Sequence, residues 1–376
     1  VSLSGKNGVQ IYIDGRPSPL AGKELADFLR SLNSNQIESI ELITNPSAKY
    51  DAAGNAGIIN IKLKKNKAYG TNGSVNAGYG IGIYGKYNTG LSLNHRNNKL
   101  NLFGNYSFNT NNNESNMFVY RSLLDTLFDQ KNTTTTSNTS NNFKVGMDYF
   151  INKRNTIGAI ATGNFTNGTN DNYSTTPISY IPTNTGYRLL IADNSSESSR
   201  RNANLNLNYR YTDSLSREWN IDADYGFFRI KSNQLQPNYY YNFNGNTEQS
   251  RTIYNMIAPT NIDIATFKTD YEQPFKKGKI SLGAKISYVQ TNNNFERYNV
   301  FSSSKILDTL RSNNFNYKEN INAAYVNYNG QYKNINIQVG VRVENTNATG
   351  QSTGFKQNGN GYSNYDSTFK RNYTDL

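Results

Sequence analysis

From about Gly70 onward, apolar and polar residues alternate with a period of two, the signature of β-strands with one apolar and one wet face. In KISLGAKISYV, Ile280, Leu282, Ala284, Ile286 and Tyr288 share one face, and Lys279, Ser281, Gly283, Lys285 and Ser287 share the other. In NINIQVGVRVE the apolar set is Ile335, Ile337, Val339, Val341 and Val343, against Asn336, Gln338, Gly340, Arg342 and Glu344. FKVGMDYFI, NLNLNYRY and EWNIDADYGF repeat the pattern, and the whole run predicts about eleven strands. Several extend to roughly ten residues or more, which is long for a soluble sandwich or jelly roll and suits a tilted membrane crossing of about 9 to 11 residues.

The connections point the same way. Short turns fall near 95–98, 152–155, 212–217, 274–278 and 333–334, with a tight hairpin near 82–85. Between them lie polar segments expected as long loops: NTTTTSNTSNN, 168–200, 234–255 and 296–312. Outer-membrane barrels place short turns on the periplasmic side and long loops outside.

Before Gly70 the texture changes. Val9 to Ile13 reads as a strand closed by an Asp14-Gly15 turn. GKELADFLRSLN sets Leu25, Phe28, Leu29 and Leu32 at helical spacing. IESIELI forms a second strand, the chain turns through Asn45-Pro46 and on from Asp51 to Gly57, and a third strand follows from Ile58 to Leu63.

Composition narrows the class. The 376 residues carry 35% hydrophobic content and a mean hydropathy of −0.74. Such polarity by itself argues for disorder, but 29 Tyr and 18 Phe argue for half-greasy strands with aromatic girdles. No stretch reaches the about 20 apolar residues of a transmembrane helix, which leaves β-strands as the route across a membrane. The net charge of +12 is scattered, much of it in turns such as HRNNK, rather than gathered on one face, so nucleic acid is not an expected partner. The absence of Cys agrees weakly with an oxidising envelope compartment.

The run IESIELITNPSAKYDAAGNAGIINIKLKK resembles the closing segment of the plug domain of TonB-dependent outer-membrane receptors, most closely the branch common in Bacteroidota envelopes. IDGRPSP, from Ile13, resembles an earlier plug strand and turn. The residues that carry the match are Ile37, Glu38, Ile40, Glu41, Pro46, Tyr50, Asp51, Gly54, Gly57, Ile59, Asn60 and Ile61. The resemblance implies a plug inside a 22-stranded barrel, of which about eleven strands is half. It implies a chain truncated at both ends and a Gram-negative outer-membrane location. It also implies TonB as energising partner, through a segment not visible here.

The expected fold is therefore mainly β: residues 1–69 form the C-terminal part of a small α+β plug, and 70–376 the N-terminal half of a transmembrane antiparallel β-barrel. The expected function is import of a scarce or bulky solute such as a siderophore, oligosaccharide or peptide. The alternative is a non-transporting barrel that acts as a surface adhesin or as a subunit of an envelope complex. Outer-membrane lipid and lipopolysaccharide are expected partners, with a surface lipoprotein as a further one. No enzyme, cofactor or metal site is expected, because the lone His95 sits at a turn and Asp222 and Asp224 share a polar strand face suited to lining a lumen. Tyr239, Tyr240 and Tyr241, placed on a loop, are candidates for substrate contact through stacking and their hydroxyls.

Overall fold

The computed structural model describes residues 2–3, 6–7, 9–13, 15–18, 25, 29, 37–50, 57–63, 69–302, 304–333, 335–358 and 361–376. Two short strands, β1 (Ser2–Leu3) and β2 (Lys6–Asn7), pair with each other at the start.

A small mixed sheet follows, built from β3 (Gln10–Ile13), β4 (Arg16–Pro17), β5 (Ile37–Ile43) and β6 (Ile58–Leu63) in the order β4-β3-β6-β5. β6 lies in the middle, parallel to β3 and antiparallel to β5. Its position follows from its residues: Ile58 and Ile61 are buried, and Ile61 joins Ile11 and Leu25 in a core flanked by Val9, Ile13, Leu29, Ile37 and Ile59. Burying one such Ile contributes roughly 1.5 to 3 kcal/mol. Leu25 and Leu29 are helical, as their spacing predicts, while Phe28 and Leu32 lie outside the described residues.

The rest of the chain is one antiparallel sheet. Its strands are β7 (Gly70–Ile81), β8 (Gly85–Arg96), β9 (Leu100–Leu123), β10 (Thr126–Phe150), β11 (Asn155–Tyr180), β12 (Thr185–Thr212), β13 (Glu218–Asn242), β14 (Glu248–Ile257), β15 (Thr260–Phe275), β16 (Gly278–Val300), β17 (Lys305–Leu307), β18 (Asn313–Tyr332), β19 (Ile335–Asn358) and β20 (Gly361–Asp375). Strands consecutive in sequence pair with each other from β7 to β14, from β15 to β17 and from β18 to β20, while β18 pairs with β16 and β17 is a short addition at the end of β16. β14 and β15 both lie between β13 and β16, so they form one crossing interrupted at Ala258 and Pro259, where proline supplies no N–H to the ladder. The hydrogen-bonded path thus has twelve strands, one more than the about eleven expected. The C-terminal RNYTD lies in β20.

The segments expected as long loops are a correction. NTTTTSNTSNN lies within β10, 168–200 is the β11–β12 hairpin, and 234–255 is the β13–β14 hairpin. β11 has 26 residues, a length of roughly 85 Å, whereas the apolar band of an outer-membrane barrel is about 25 Å tall. More than half of each long strand therefore stands outside the bilayer. There both faces carry mostly polar residues, so the apolar-polar alternation fades from the sequence although Ser174, Thr176 and Ile178 stay buried on one face of β11, and side-chain bonds between strands support the ladder. Asn170 Nδ2 donates to Thr136 Oγ1 (2.8 Å), Asn172 Nδ2 to Thr134 Oγ1 (2.7 Å), Thr133 Oγ1 to Asn116 Oδ1 (2.7 Å) and Ser137 Oγ to Asn112 Oδ1 (2.7 Å).

Nearer the short turns the alternation has its expected consequence. Leu205, Leu207, Val145, Met147, Phe267, Leu282 and Ile286 are exposed on one face. Asn206, Lys144, Ser287 and Arg342 are buried on the other. The exposed row faces lipid, and the polar row lines the interior.

Candidate functional site

The interior face gathers charge on β13, β15, β16, β18 and β19. Asp222 stands opposite Lys268, and Lys268 opposite Lys285. Asn206 Nδ2 donates to Asp222 (3.2 Å) and Asp224 (2.9 Å), which places both aspartates on the lumen wall as their spacing predicts. Asp270 accepts the Tyr325 hydroxyl hydrogen bond and pairs with Lys268 at 3.0 Å. Tyr325 stands opposite Arg342, whose guanidinium is 2.6 Å from Glu344. The wall is densely cross-bonded, with cations and carboxylates interleaved rather than segregated.

The small sheet reaches this wall through the turn after β5. Lys49 Nζ lies 3.7 Å from Asp270. Ala48 approaches Gly340 so closely that a Cβ there would lie 2.9 Å from the Ala48 Cβ and 2.6 Å from Asn327 Oδ1. Gly340 is therefore a close-approach glycine, where any side chain would push the turn away.

Within the small sheet, Asn60 is the organising residue. Buried on β6, it accepts from Gly15 N (2.9 Å) and donates to Glu41 Oε2 (2.9 Å), so one amide fixes the β3–β4 turn and β5 together. Lys62 pairs with Glu41 at 2.5 Å, and hydrogen bonds from Lys62 first and Asn60 second hold the Glu41 carboxyl below its ordinary pKa. Gly57 has φ +103°, a conformation that favours glycine, and its carbonyl accepts from Gln10 N (3.1 Å). Tyr50 packs edge-on against Tyr12 with ring centroids 5.7 Å apart. Ile59 and Ile61 serve the core, Pro46 is half-buried, and Glu38 and Ile40 are exposed. Asp51 and Gly54 lie outside the described residues.

Two other expectations need correcting. Tyr239, Tyr240 and Tyr241 lie on β13 rather than on a loop, and consecutive strand residues face opposite sides, so they do not form one patch. Arg251 covers the Tyr239 ring at 5.6 Å and Arg188 covers Tyr240 at 5.2 Å. His95 is the penultimate residue of β8, not a turn residue, and its Nδ1 is 2.8 Å from Thr71 Oγ1. No group of three or more His, Cys, Asp or Glu able to hold a metal occurs among the described residues.

At the outer end of the wall, a cluster that sequence reasoning missed orders the connection after β16. Arg297 lies 3.8 Å over the Tyr254 ring and 2.7 Å from Asp308, which Arg311 also reaches at 2.8 Å. Ser312 Oγ donates to the Asp308 carbonyl (2.7 Å). Burial alone would raise the Asp308 pKa, but Arg311 and Arg297 outweigh it and hold the carboxyl below the ordinary value.

A lipid-facing apolar row, a polar interior and consecutive antiparallel strands define an outer-membrane β-barrel wall, and hence a protein of the Gram-negative outer membrane. Residues 210–376 match the model of the outer membrane protein beta-barrel family. No curated protein matches the chain. Among solved structures, the ferric enterobactin receptor of Pseudomonas aeruginosa is 8% identical with a TM-score of 0.32, covering 93% of this chain and 84% of that one. The ferric citrate transporter FecA, unliganded, is 10% identical with a TM-score of 0.38, covering 98% and 65%. The ferric yersiniabactin uptake receptor FyuA of Yersinia pestis is 11% identical with a TM-score of 0.32, covering 97% and 70%. At such scores the likeness carries no weight, and the fold assignment rests on the strand pairing and the family match.

Proposed function

We propose that the chain is the plug-and-wall portion of a TonB-dependent outer-membrane receptor, with a plug over 1–69 and barrel wall over 70–376, which imports a scarce or bulky solute. The observation that carries this reading is the seat of the small sheet on the polar interior face, through Lys49 at Asp270 and Ala48 at Gly340. A domain held inside a barrel by weak polar contacts blocks the lumen at rest and yields to a modest force. The residues from Ile37 to Ile61 act here as the frame of that plug, with Asn60 as its cross-brace. TonB is the partner that would supply the force, and the solute class is a siderophore, oligosaccharide or peptide. A surface lipoprotein is a further partner of this arrangement.

Two experiments on the full-length protein test this reading. Deletion of the gene is expected to abolish growth on one solute as sole iron, carbon or peptide source, with the same loss in a strain lacking TonB. The chain has no Cys, so Ala48→Cys with Gly340→Cys would form a single disulfide between plug and wall after a small shift toward the usual Cβ separation of about 3.8 Å. Uptake should stop when this pair is oxidised and resume on reduction. Uptake that persists with the disulfide formed would show that plug movement is not part of transport. A deletion strain with unchanged growth on every such solute would favour an adhesin or complex subunit.

A further inference from the structure

β9 stands higher than its neighbour β8. The two pair from Arg96 opposite Asn101 to Asn88 opposite Asn109; β8 begins at Gly85, while β9 runs on to Leu123. From Ser115 to Leu123, β9 pairs with β10 on one side, and among the described residues no strand pairs with its other side. The free edges of β7 and β20 are those through which such a wall closes into a barrel. The upper edge of β9 stays open on closure, because β8 already holds that side of β9 lower down. About nine residues, roughly 30 Å of strand, thus present alternate backbone N–H and C=O groups without a ladder partner.

Natural sheets blunt such edges with Lys, Pro or a bulge. Ser115 to Tyr120 reads SNMFVY, without charge or proline, and its register with β10 is unbroken. Phe118 and Tyr120, on the same face as Leu102 and Tyr106, are 72% and 74% exposed. Met117, exposed, and Val119, half-buried, lie on the other face. The edge is therefore a template for one more strand, with apolar side chains ready on both faces. Its lower end is closed: Tyr87 N donates to Thr110 Oγ1 (2.8 Å), Asn112 Nδ2 to the Gly85 carbonyl (3.0 Å) and the Tyr84 hydroxyl to Glu114 (3.3 Å), so the β7–β8 hairpin is stitched to β9 as a floor. Only an extended backbone matches the row of free groups, and a floor suits a chain that ends there, whereas a strand of a folded partner runs on.

We propose that a free oligopeptide of about nine residues adds to the upper edge of β9 as an extended strand, bonded through its main chain and contacted by Phe118 and Tyr120 on one face and by Met117 and Val119 on the other. Main-chain bonding makes such capture tolerant of sequence, with a preference for apolar residues near the middle of the peptide. The binding step needs only this edge; that the captured peptide is the solute carried through the barrel rests on the receptor reading above.

The test uses the full-length protein in detergent and a fluorescent peptide of that length alternating Thr and Val, read by anisotropy beside the same peptide N-methylated at every residue. Wild type is expected to bind the plain peptide about tenfold more tightly than the methylated one, a difference of about 1.4 kcal/mol. Phe118→Lys with Tyr120→Lys, which charges the edge as natural sheets do, should remove that preference at unchanged heat resistance, and Phe118→Tyr with Tyr120→Phe should keep it. Equal binding of the two peptides by wild type, or a preference retained in the Lys variant, would overturn the proposal. So would a concentration-dependent dimer that excludes the peptide, which would assign the edge to a second copy, or tighter binding of the same sequence held in a folded protein. Uptake of the peptide by cells separates this site from the receptor reading: a peptide that binds with the expected preference yet does not enter supports the edge site and counts against peptide as the solute.

Discussion

Lys49 Nζ lies 3.7 Å from the Asp270 carboxylate, and this one ion pair joins the small N-terminal sheet to the barrel wall. Its two ends are unequal. The Lys49 side chain is 46% exposed, whereas Asp270 is nearly buried and also holds Lys268 and Tyr325. A pair with one solvated end contributes about 0.2 to 1 kcal/mol, enough to bias the position of the plug and too little to fix it. Lys49→Met should therefore lower thermal stability by less than about 1 kcal/mol while raising outer-membrane leakage to small hydrophilic antibiotics. Asp270→Asn should cost more, roughly 1 to 3 kcal/mol, because it weakens the partners of Lys268 and Tyr325 as well. A double-mutant cycle on melting temperature measures the shared term, and a coupling of several kcal/mol would contradict a weak latch.

Gly340 sets the second contact by having no side chain. Gly340→Leu places atoms where Ala48 and Asn327 already lie, so it should displace the turn and raise leakage more than Lys49→Met does. The milder Gly340→Ala should be relieved in part by Ala48→Gly, because that change removes the Cβ 2.9 Å away. Leakage measured across the four combinations checks this. Failure of Ala48→Gly to relieve the defect would move the clash to Asn327.

Asn60 on β6 ties the β3–β4 turn and β5 together through one buried amide. Asn60→Leu keeps the volume but leaves the Gly15 N–H without its acceptor and Glu41 with Lys62 as its remaining donor. The expected cost is roughly 1 to 3 kcal/mol, confined to the small sheet. Hydrogen exchange should speed up at Gly15 and through β5 and β6, and leave β10 to β13 unchanged.

The legible parts of the sequence were those where a single physical contrast acts along the strand. Ile280 to Tyr288 and Phe143 to Ile151 alternate because lipid lies on one side and a polar interior on the other. The small sheet was legible through the spacing of Ile11, Ile37, Ile59 and Ile61. β10 offers no such cue from Asn132 to Asn142, where every residue is polar; Asn132, Ser140 and Asn142 are buried on one face by polar neighbours rather than by an apolar core, so no contrast is written into the residues, and strand looks like loop. Cross-strand partners such as Asn170 and Thr136 emerge only once the register is set. Lys49–Asp270 and Arg297–Asp308 were illegible for a different reason, since each depends on where the fold places a residue rather than on spacing.

The outer cluster around Asp308 gives a pH dependence whose sign can be stated. Its folded pKa lies below the ordinary carboxylate value because Arg311 and Arg297 outweigh the opposing effect of burial. A lowered folded pKa means that the contribution is fully present above the unfolded value of about 3.9 and is lost as pH falls through the lower folded value. The hairpin carrying Arg297, Asp308 and Ser312 should stay ordered at neutral pH and loosen only in acid, below about pH 4. Asp308→Asn should loosen it at neutral pH and remove the acid step, because the ion pairs to Arg297 and Arg311 are then gone at every pH. Hydrogen exchange at the backbone of Arg297 and Arg311, followed from neutral pH downward after correction for intrinsic rates, reads both effects. An acid step of unchanged size in Asp308→Asn would assign the transition to a different carboxylate, with Glu296, which accepts from Tyr298 at 2.8 Å, the nearest one to substitute next.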